Sequence, residues 1–189
     1  MKMIFIRRYF DEVKNLLDRV SEEDIASLTD LLTDAWKEGK RVILMGNGGS
    51  AANASHIVND LQKCLQFDTG KPLKALCLSD NTALILAWGN DTRFDNIYAP
   101  QVECWVEPGD LVIGISGSGN SMNVINAIEK GNELGAFTFG LAGFEGGKLS
   151  KCAKKTIVVP SDNMQQIEDI HMMILHLVFS ELRRRAIGD

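Results

Sequence analysis

No apolar stretch in this 189-residue chain approaches the roughly 20 residues that a membrane-spanning helix needs. The short apolar start at Met1–Ile6 is cut off by Arg7 and Arg8, and acidic residues follow, so it does not read as a signal peptide. An excess of positive charge is also missing. Lys and Arg number 20 against 25 Asp and Glu, a net charge of −5 that argues against a mainly electrostatic nucleic-acid binder. Cys64, Cys77, Cys104 and Cys152 show no metal-type pairing and are expected as reduced thiols of a cytoplasmic protein. Neither a Walker A loop nor the dinucleotide fingerprint Gly-x-Gly-x-x-Gly occurs, which points away from ATP and NAD and predicts no nucleotide cofactor. No repeat, low-complexity segment or linker divides the chain. The expected organisation is one domain over 1–189, with a helical pair over 1–39 and an α/β core over 40–189.

Two turns rich in glycine and serine are present instead. Gly46-Asn47-Gly48-Gly49-Ser50 follows the apolar run Arg41–Met45, and Ser116-Gly117-Ser118-Gly119-Asn120-Ser121 follows Leu111–Ile115. Each precedes a segment with helical patterning. A strand, a tight turn of small residues and a helix N-terminus make a site for an anion. Glycines such as Gly48, Gly49 and Gly117 let the backbone approach, free N–H groups point at the ligand, and the helix dipole favours negative charge. Serine hydroxyls add donors. The alternative for either turn is an ordinary Ser/Gly connection with Ser121 as an N-cap, but two of them after two strands favour a small phosphorylated metabolite.

The first forty residues predict two helices, the second started by Ser21 as N-cap and ended at Gly39. Their apolar stripes are suited to packing on another subunit. Strands are then expected at Arg41–Met45, Leu73–Leu78, Leu111–Ile115, Ala136–Leu141 and Thr156–Val159. Helices are expected at Ser50–Leu65, Asn81–Trp88, Ser121–Leu134 and Met164–Arg185, with a short turn at Gly147–Cys152. Continuously apolar strands imply a parallel sheet covered on both faces. The predicted fold is α/β, a three-layer α/β/α sandwich around a five-stranded parallel sheet, in which ligands bind beyond the carboxyl ends of the strands. Trp36, Trp88 and Trp105 are expected as packing residues, Met172 and Met173 as core filling, and Arg183–Arg185 as a solvated helix end.

The three histidines fall on two of the predicted helices. His56 and Asp60 are four apart and share a face; Glu168, His171 and His176 lie on the last helix. An imidazole and a carboxylate from each helix could move a proton or bind a metal. His171 and His176 are about 140° apart around their helix and do not face one ligand together. Spacing does not choose between them.

The segment from Gly46 to His56, Gly89-Asn90-Asp91, Gly114 to Ser121, and Ile167-Glu168-Asp169-Ile170-His171 with His176 together resemble the phosphoheptose isomerases of the SIS (sugar isomerase) domain family. The resemblance runs over nearly the whole chain. It implies a homotetramer with sites at subunit interfaces, and interconversion of sedoheptulose 7-phosphate and D-glycero-D-manno-heptose 7-phosphate through an enediol. It assigns Asp60 and His176 as the catalytic base and acid. Phosphate would lie on Ser116, Ser118 and Ser121, with Asn47, Ser50 and Asp91 facing the sugar. A zinc ion would be held by His56, Asp60, Glu168 and His176, Glu168 standing where the family has glutamine.

Three further departures are visible. The family's catalytic glutamate is Asp60 here, which withdraws the carboxylate by about 1.5 Å, enough for a loss of about 100-fold without backbone compensation. A substrate-contacting arginine of the family aligns with Cys64, and an aspartate before the last helix aligns with Gln165. The DnaA initiator-associating proteins, non-catalytic relatives, are the competing resemblance through Ser50-Ala51-Ala52-Asn53-Ala54. Retention of both Asp60 and His176 weighs against it.

Overall fold

The computed structural model describes residues 2–188, with side chains from residue 4 onward. The five apolar runs form β1 (Arg41–Gly46), β2 (Lys74–Cys77), β3 (Leu111–Ser116), β4 (Phe137–Gly143) and β5 (Lys155–Val159). They pair in parallel throughout, in the order β2-β1-β3-β4-β5. Helices supply the crossovers and the cover: α1 (Lys2–Leu17), α2 (Glu22–Glu38), α3 (Gly49–Asn59), α4 (Leu65–Thr69), α5 (Thr82–Asp91), α6 (Ala99–Trp105), α7 (Met122–Glu133), α8 (Leu149–Cys152) and α9 (Met164–Ile187).

Alternate residues of each strand face opposite layers, and both layers are apolar. Val42, Leu44, Ile113 and Leu141 pack beneath α1, α2, α3 and α9, where Leu28, Ile57, Ile170 and Ile174 meet them. Ile43, Met45 and Val112 face the other way, onto Val102 of α6, Val124 of α7 and Leu149 of α8. This is the expected α/β/α sandwich, with both faces of the parallel sheet covered.

Local signals at the helix ends behave as expected. The Ser21 hydroxyl accepts from the Asp24 N–H at 3.1 Å, and Gly39 closes α2 in the left-handed region at φ 70°. The arginines ending α9 are tied to neighbouring elements: Arg183 Nε donates to Asp68 Oδ2 at 2.5 Å and Arg185 Nη1 to Asp30 Oδ1 at 2.7 Å. Two packing expectations need correction. Trp105 is 47% exposed and Met173 46%, because each lies on the outer side of its helix.

The predicted helix over Ser50–Leu65 is interrupted. α3 ends at Asn59, and Asp60–Cys64 forms one π-helical turn, in which the Leu65 N–H reaches back to the Asp60 carbonyl. The segment Ala99–Trp105, α6, was not anticipated as a helix. Pro100 sits in its first turn, where a missing N–H costs nothing.

α1 docks on the start of α9 through polar ties. Tyr9 Oη donates to Asp169 Oδ2 at 2.6 Å, a bond that pushes the Tyr9 hydroxyl up to about 12, and Gln166 Nε2 donates to Glu12 Oε2 at 2.7 Å. Along the same helix Ile4, Phe5, Ile6 and Phe10 are more than half exposed.

His171 is fully buried, and its Nε2 lies 3.0 Å from the Ala142 carbonyl of β4. Burial pushes this imidazole down from its ordinary 6.5 to about 4, against the opposing effect of the Ala142 bond. A depressed basic group is neutral in the fold, while the unfolded chain takes up the proton first. Stability is therefore full above pH 6.5 and declines as pH falls toward 4. The shift corresponds to about 3 kcal/mol. Urea unfolding of His171→Gln, which keeps a donor for Ala142, should show a flatter stability profile between pH 6.5 and 4 than the unsubstituted protein; equal slopes would remove His171 as the cause.

Candidate active site

The chain leaves β1 toward β2 on one side and returns to β3 on the other. That reversal opens a crevice beyond the carboxyl ends of β1 and β3. Both glycine- and serine-rich turns border it, since one follows β1 and the other follows β3.

The two turns are joined by a reciprocal amide pair. Asn47 Nδ2 donates to Asn123 Oδ1 and Asn123 Nδ2 to Asn47 Oδ1, each at 2.9 Å. The first turn is also pinned from beneath: Tyr98 Oη donates to the Gly46 carbonyl at 2.5 Å, and Ser79 Oγ donates to the same oxygen at 2.9 Å. Ser50 is buried against Gly46. Neither Asn123, Ser79 nor Tyr98 was singled out from sequence. The detectable signal was Asn123, a polar residue in the apolar stripe of α7.

In the second turn, Ser116 Oγ donates to Ser121 Oγ at 3.0 Å, and Ser118 Oγ accepts from the Asn120 N–H at 3.2 Å. Gly119, at φ 66°, passes so close to the Gly146 carbonyl that a Cβ would collide with it. Ser121 occupies the N-cap position of α7 without capping it through its side chain, and Gly48 does the same for α3. Ser21, Asn81 and Asn163 cap α2, α5 and α9 through their side chains, while α4, α6 and α8, like α3 and α7, have no side-chain cap. Two helix N-termini with no side-chain cap, facing one crevice, are suited to an anion. A cleft of about 890 Å³ opens beside Ser118, bounded by Arg19, Phe144 and Gln166.

A second group lies farther along the same helices. α3 and α9 pack through Ala54, Ile57, Ile170, Ile174 and Val178, all buried. This brings His176 Nε2 to 2.9 Å from His56 Nε2, with the rings edge to face. Asp60 Oδ2 stands 3.9 Å from His56 Nε2 and 3.8 Å from His176 Nε2. The imidazoles are about half exposed, whereas the carboxylate is 15% exposed. Among the described residues, His56, Asp60 and His176 form a group with all ligand atoms within 4.8 Å of one another.

Two ring nitrogens at 2.9 Å need something positive between them: a proton carried by one, or a cation facing both lone pairs. Tetrahedral zinc with ordinary bond lengths spaces its ligand atoms by about 3.3 Å. The observed 2.9, 3.8 and 3.9 Å bracket that value, and three protein ligands leave a fourth position open.

Other expected residues are placed elsewhere. Glu168 lies outside the three-residue group. Its carboxylate is folded over Gly49, where the missing Cβ makes room, while its carbonyl accepts from Asn53 Nδ2 at 3.0 Å. Asp91 ends α5, exposed, and its carboxylate accepts from Asn90 Nδ2 at 2.8 Å. Among the described residues, no hydrogen bond or ion pair links it to either turn. His171 is inside the core, whereas His176 meets His56.

The SIS domain family matches residues 8–143. The phosphoheptose isomerase of Aquifex aeolicus is 39% identical over 94% of this chain and 92% of its own length. The chain belongs to the SIS domain family, in its phosphoheptose isomerase branch. A further relative of that name, from Sulfurimonas denitrificans, is 36% identical over 100% of this chain and 93% of its own. Among solved structures, a phosphoheptose isomerase from Francisella tularensis superposes with a TM-score of 0.91 at 27% identity, covering 97% of this chain and 99% of that one. The enzyme GmhA from Neisseria gonorrhoeae gives 0.87 at 28% identity, covering 96% and 98%.

Loss of the amide pair tests how the two turns are coupled. Asn123→Ala leaves Asn47 Nδ2 without its acceptor, while Asn47 Oδ1 keeps Tyr98 Oη at 3.3 Å, and should lower unfolding stability by about 1–3 kcal/mol in urea titration. An unchanged midpoint would mean that Ser79 and Tyr98 hold the first turn without it.

Proposed function

We propose that this SIS protein is an aldose–ketose isomerase that interconverts sedoheptulose 7-phosphate and D-glycero-D-manno-heptose 7-phosphate. The observation that carries the reading is Asp60 Oδ2 standing 3.8–3.9 Å from two imidazoles, on helices that begin at the anion-suited crevice. Moving a proton between adjacent carbons requires a base, an acid and a stabiliser for the enediolate oxygen. Asp60 takes the proton from the carbon next to the carbonyl. His176 gives and takes the hydroxyl proton, so that charge on the oxygen stays small. The phosphate rests on Ser116, Ser118 and Ser121 with N–H groups of Gly117, Gly48 and Gly49. Asn47, Ser50 and Glu168 face the sugar chain.

His56, Asp60 and His176 would hold a zinc ion in the state in which no proton lies between the two imidazole nitrogens, with Glu168, whose carboxylate lies over Gly49, outside that set. When bound, the metal would polarise the carbonyl and stabilise the enediolate as a Lewis acid. The shorter side chain of Asp60 is offset by helix packing, because its oxygen still reaches both histidines.

The group sits about 12 Å along α3 from the first turn, since eight residues separate Gly48 from His56. Such a separation suits a site completed between subunits, to which Asp91 would be supplied by assembly. The exposed apolar side chains of Ile4, Phe5, Ile6 and Phe10 on α1 support a homotetramer. The whole chain is read as one SIS unit. Among the described residues, no helix is long and apolar enough to cross a membrane. Four free cysteines favour a reducing compartment such as the cytoplasm.

Asp60→Ala and His176→Ala should each reduce isomerisation of sedoheptulose 7-phosphate by at least about 100-fold, while phosphosugar binding persists. Turnover that survives both substitutions would sink the assignment. Phe5→Asp combined with Phe10→Asp should shift light-scattering mass from tetramer toward smaller species. An unaltered mass would exclude Phe5 and Phe10 as subunit contacts.

A further inference from the structure

The two oxygens of Asp60 have different surroundings. Oδ2 faces His56 and His176 at 3.9 and 3.8 Å. Oδ1 points the other way, accepting from Asn59 Nδ2 at 3.1 Å and from Cys64 Sγ at 3.6 Å. Both donors are supplied by the helix that carries Asp60. Asn59 precedes it directly, and Cys64 follows at the end of the π-helical turn that Asp60 opens. Cys64 is half-buried and lines a cleft of about 300 Å³ with Lys63, Phe67 and Arg183.

The terminal torsion of an aspartate is broad and nearly two-fold, so nothing intrinsic selects which oxygen faces forward. A carboxylate with partners on one oxygen only would sample several orientations. Two donors on the other oxygen remove that freedom. Hydrogen bonds to an ionised acceptor are also stronger than neutral ones, which lets a weak thiol donor contribute.

We infer that Asn59 and Cys64 are positioning residues: together they hold Asp60 Oδ1 so that Oδ2 alone is presented to the reacting carbon and to His56 and His176. The inference rests on the proposed role of Asp60. Its chemistry is local to this chain, because the short aspartate leaves Oδ1 within reach of a thiol one turn along.

The test compares Asn59→Ala, Cys64→Ala and Cys64→Ser with the unsubstituted protein in two independent assays. One is steady-state turnover of sedoheptulose 7-phosphate; the other is Co²⁺ binding to metal-free protein by calorimetry, with unfolding midpoints as the control for folding. Both alanine variants should lose about 10-fold in kcat with little change in KM, and Co²⁺ affinity should fall by a similar factor. Cys64→Ser, which keeps an O–H donor, should recover most of both losses. The inference is overturned if both alanine variants keep kcat and Co²⁺ affinity, or if serine at position 64 recovers nothing. Should the unsubstituted protein bind Co²⁺ without turning over the sugar, the isomerase reading fails while the metal arm still measures positioning. If it does neither, the inference falls with that reading.

Discussion

The packing of α3 against α9 sets the distances on which the chemistry depends. Ala54, Ile57 and Leu61 on one side and Ile170, Ile174 and Val178 on the other are all buried in one apolar cluster. Side chains on the neighbouring faces have no freedom to choose their separation. His56, Asp60 and His176 are held as a group because the apolar stripes beneath them interlock at fixed register. Side chains placed on rigid helices are more exactly positioned than side chains on loops.

The sheet order supplies the second half of the site. A parallel sheet with order β2-β1-β3-β4-β5 has one reversal, and the two glycine- and serine-rich turns follow the two strands that flank it. The protein stiffens this region without side-chain caps on α3 or α7. Asn47 and Asn123 bind each other, Tyr98 and Ser79 bind the Gly46 carbonyl, and the free helix ends remain directed at the crevice. Polar groups buried in this way hold geometry at the cost of requiring every partner to be present.

The contacts of Asp60 divide between its two oxygens. Oδ2 stands 3.9 and 3.8 Å from the His56 and His176 Nε2 atoms, and Oδ1 has two donors, Asn59 Nδ2 and Cys64 Sγ. The π-helical turn at Asp60–Cys64 brings Cys64 to that second oxygen. Such turns re-aim the residues of a helix without ending it, and they recur at functional sites.

Strands, their parallel pairing and the two anion-suited turns were legible in the sequence, because unbroken apolar runs and Gly/Ser punctuation are local signals with direct physical causes. The N-cap at Ser21 and the stop at Gly39 were legible for the same reason. The π-helical turn was not, since its residues carry an ordinary helical pattern, and α6 was hidden by Pro100 and mixed composition. Neither could spacing choose between His171 and His176. That choice belongs to tertiary packing, which turned one imidazole into the core under Ala142 and the other toward His56. The same packing folded Glu168 over Gly49 and drew Asn123, Tyr98 and Ser79 to the first turn. Sequence by itself determined which elements form and which residue types could act. Only the folded chain decided which of them meet, because contacts between residues far apart in sequence are set by how two helices and a reversed sheet pack, and no local pattern encodes that distance.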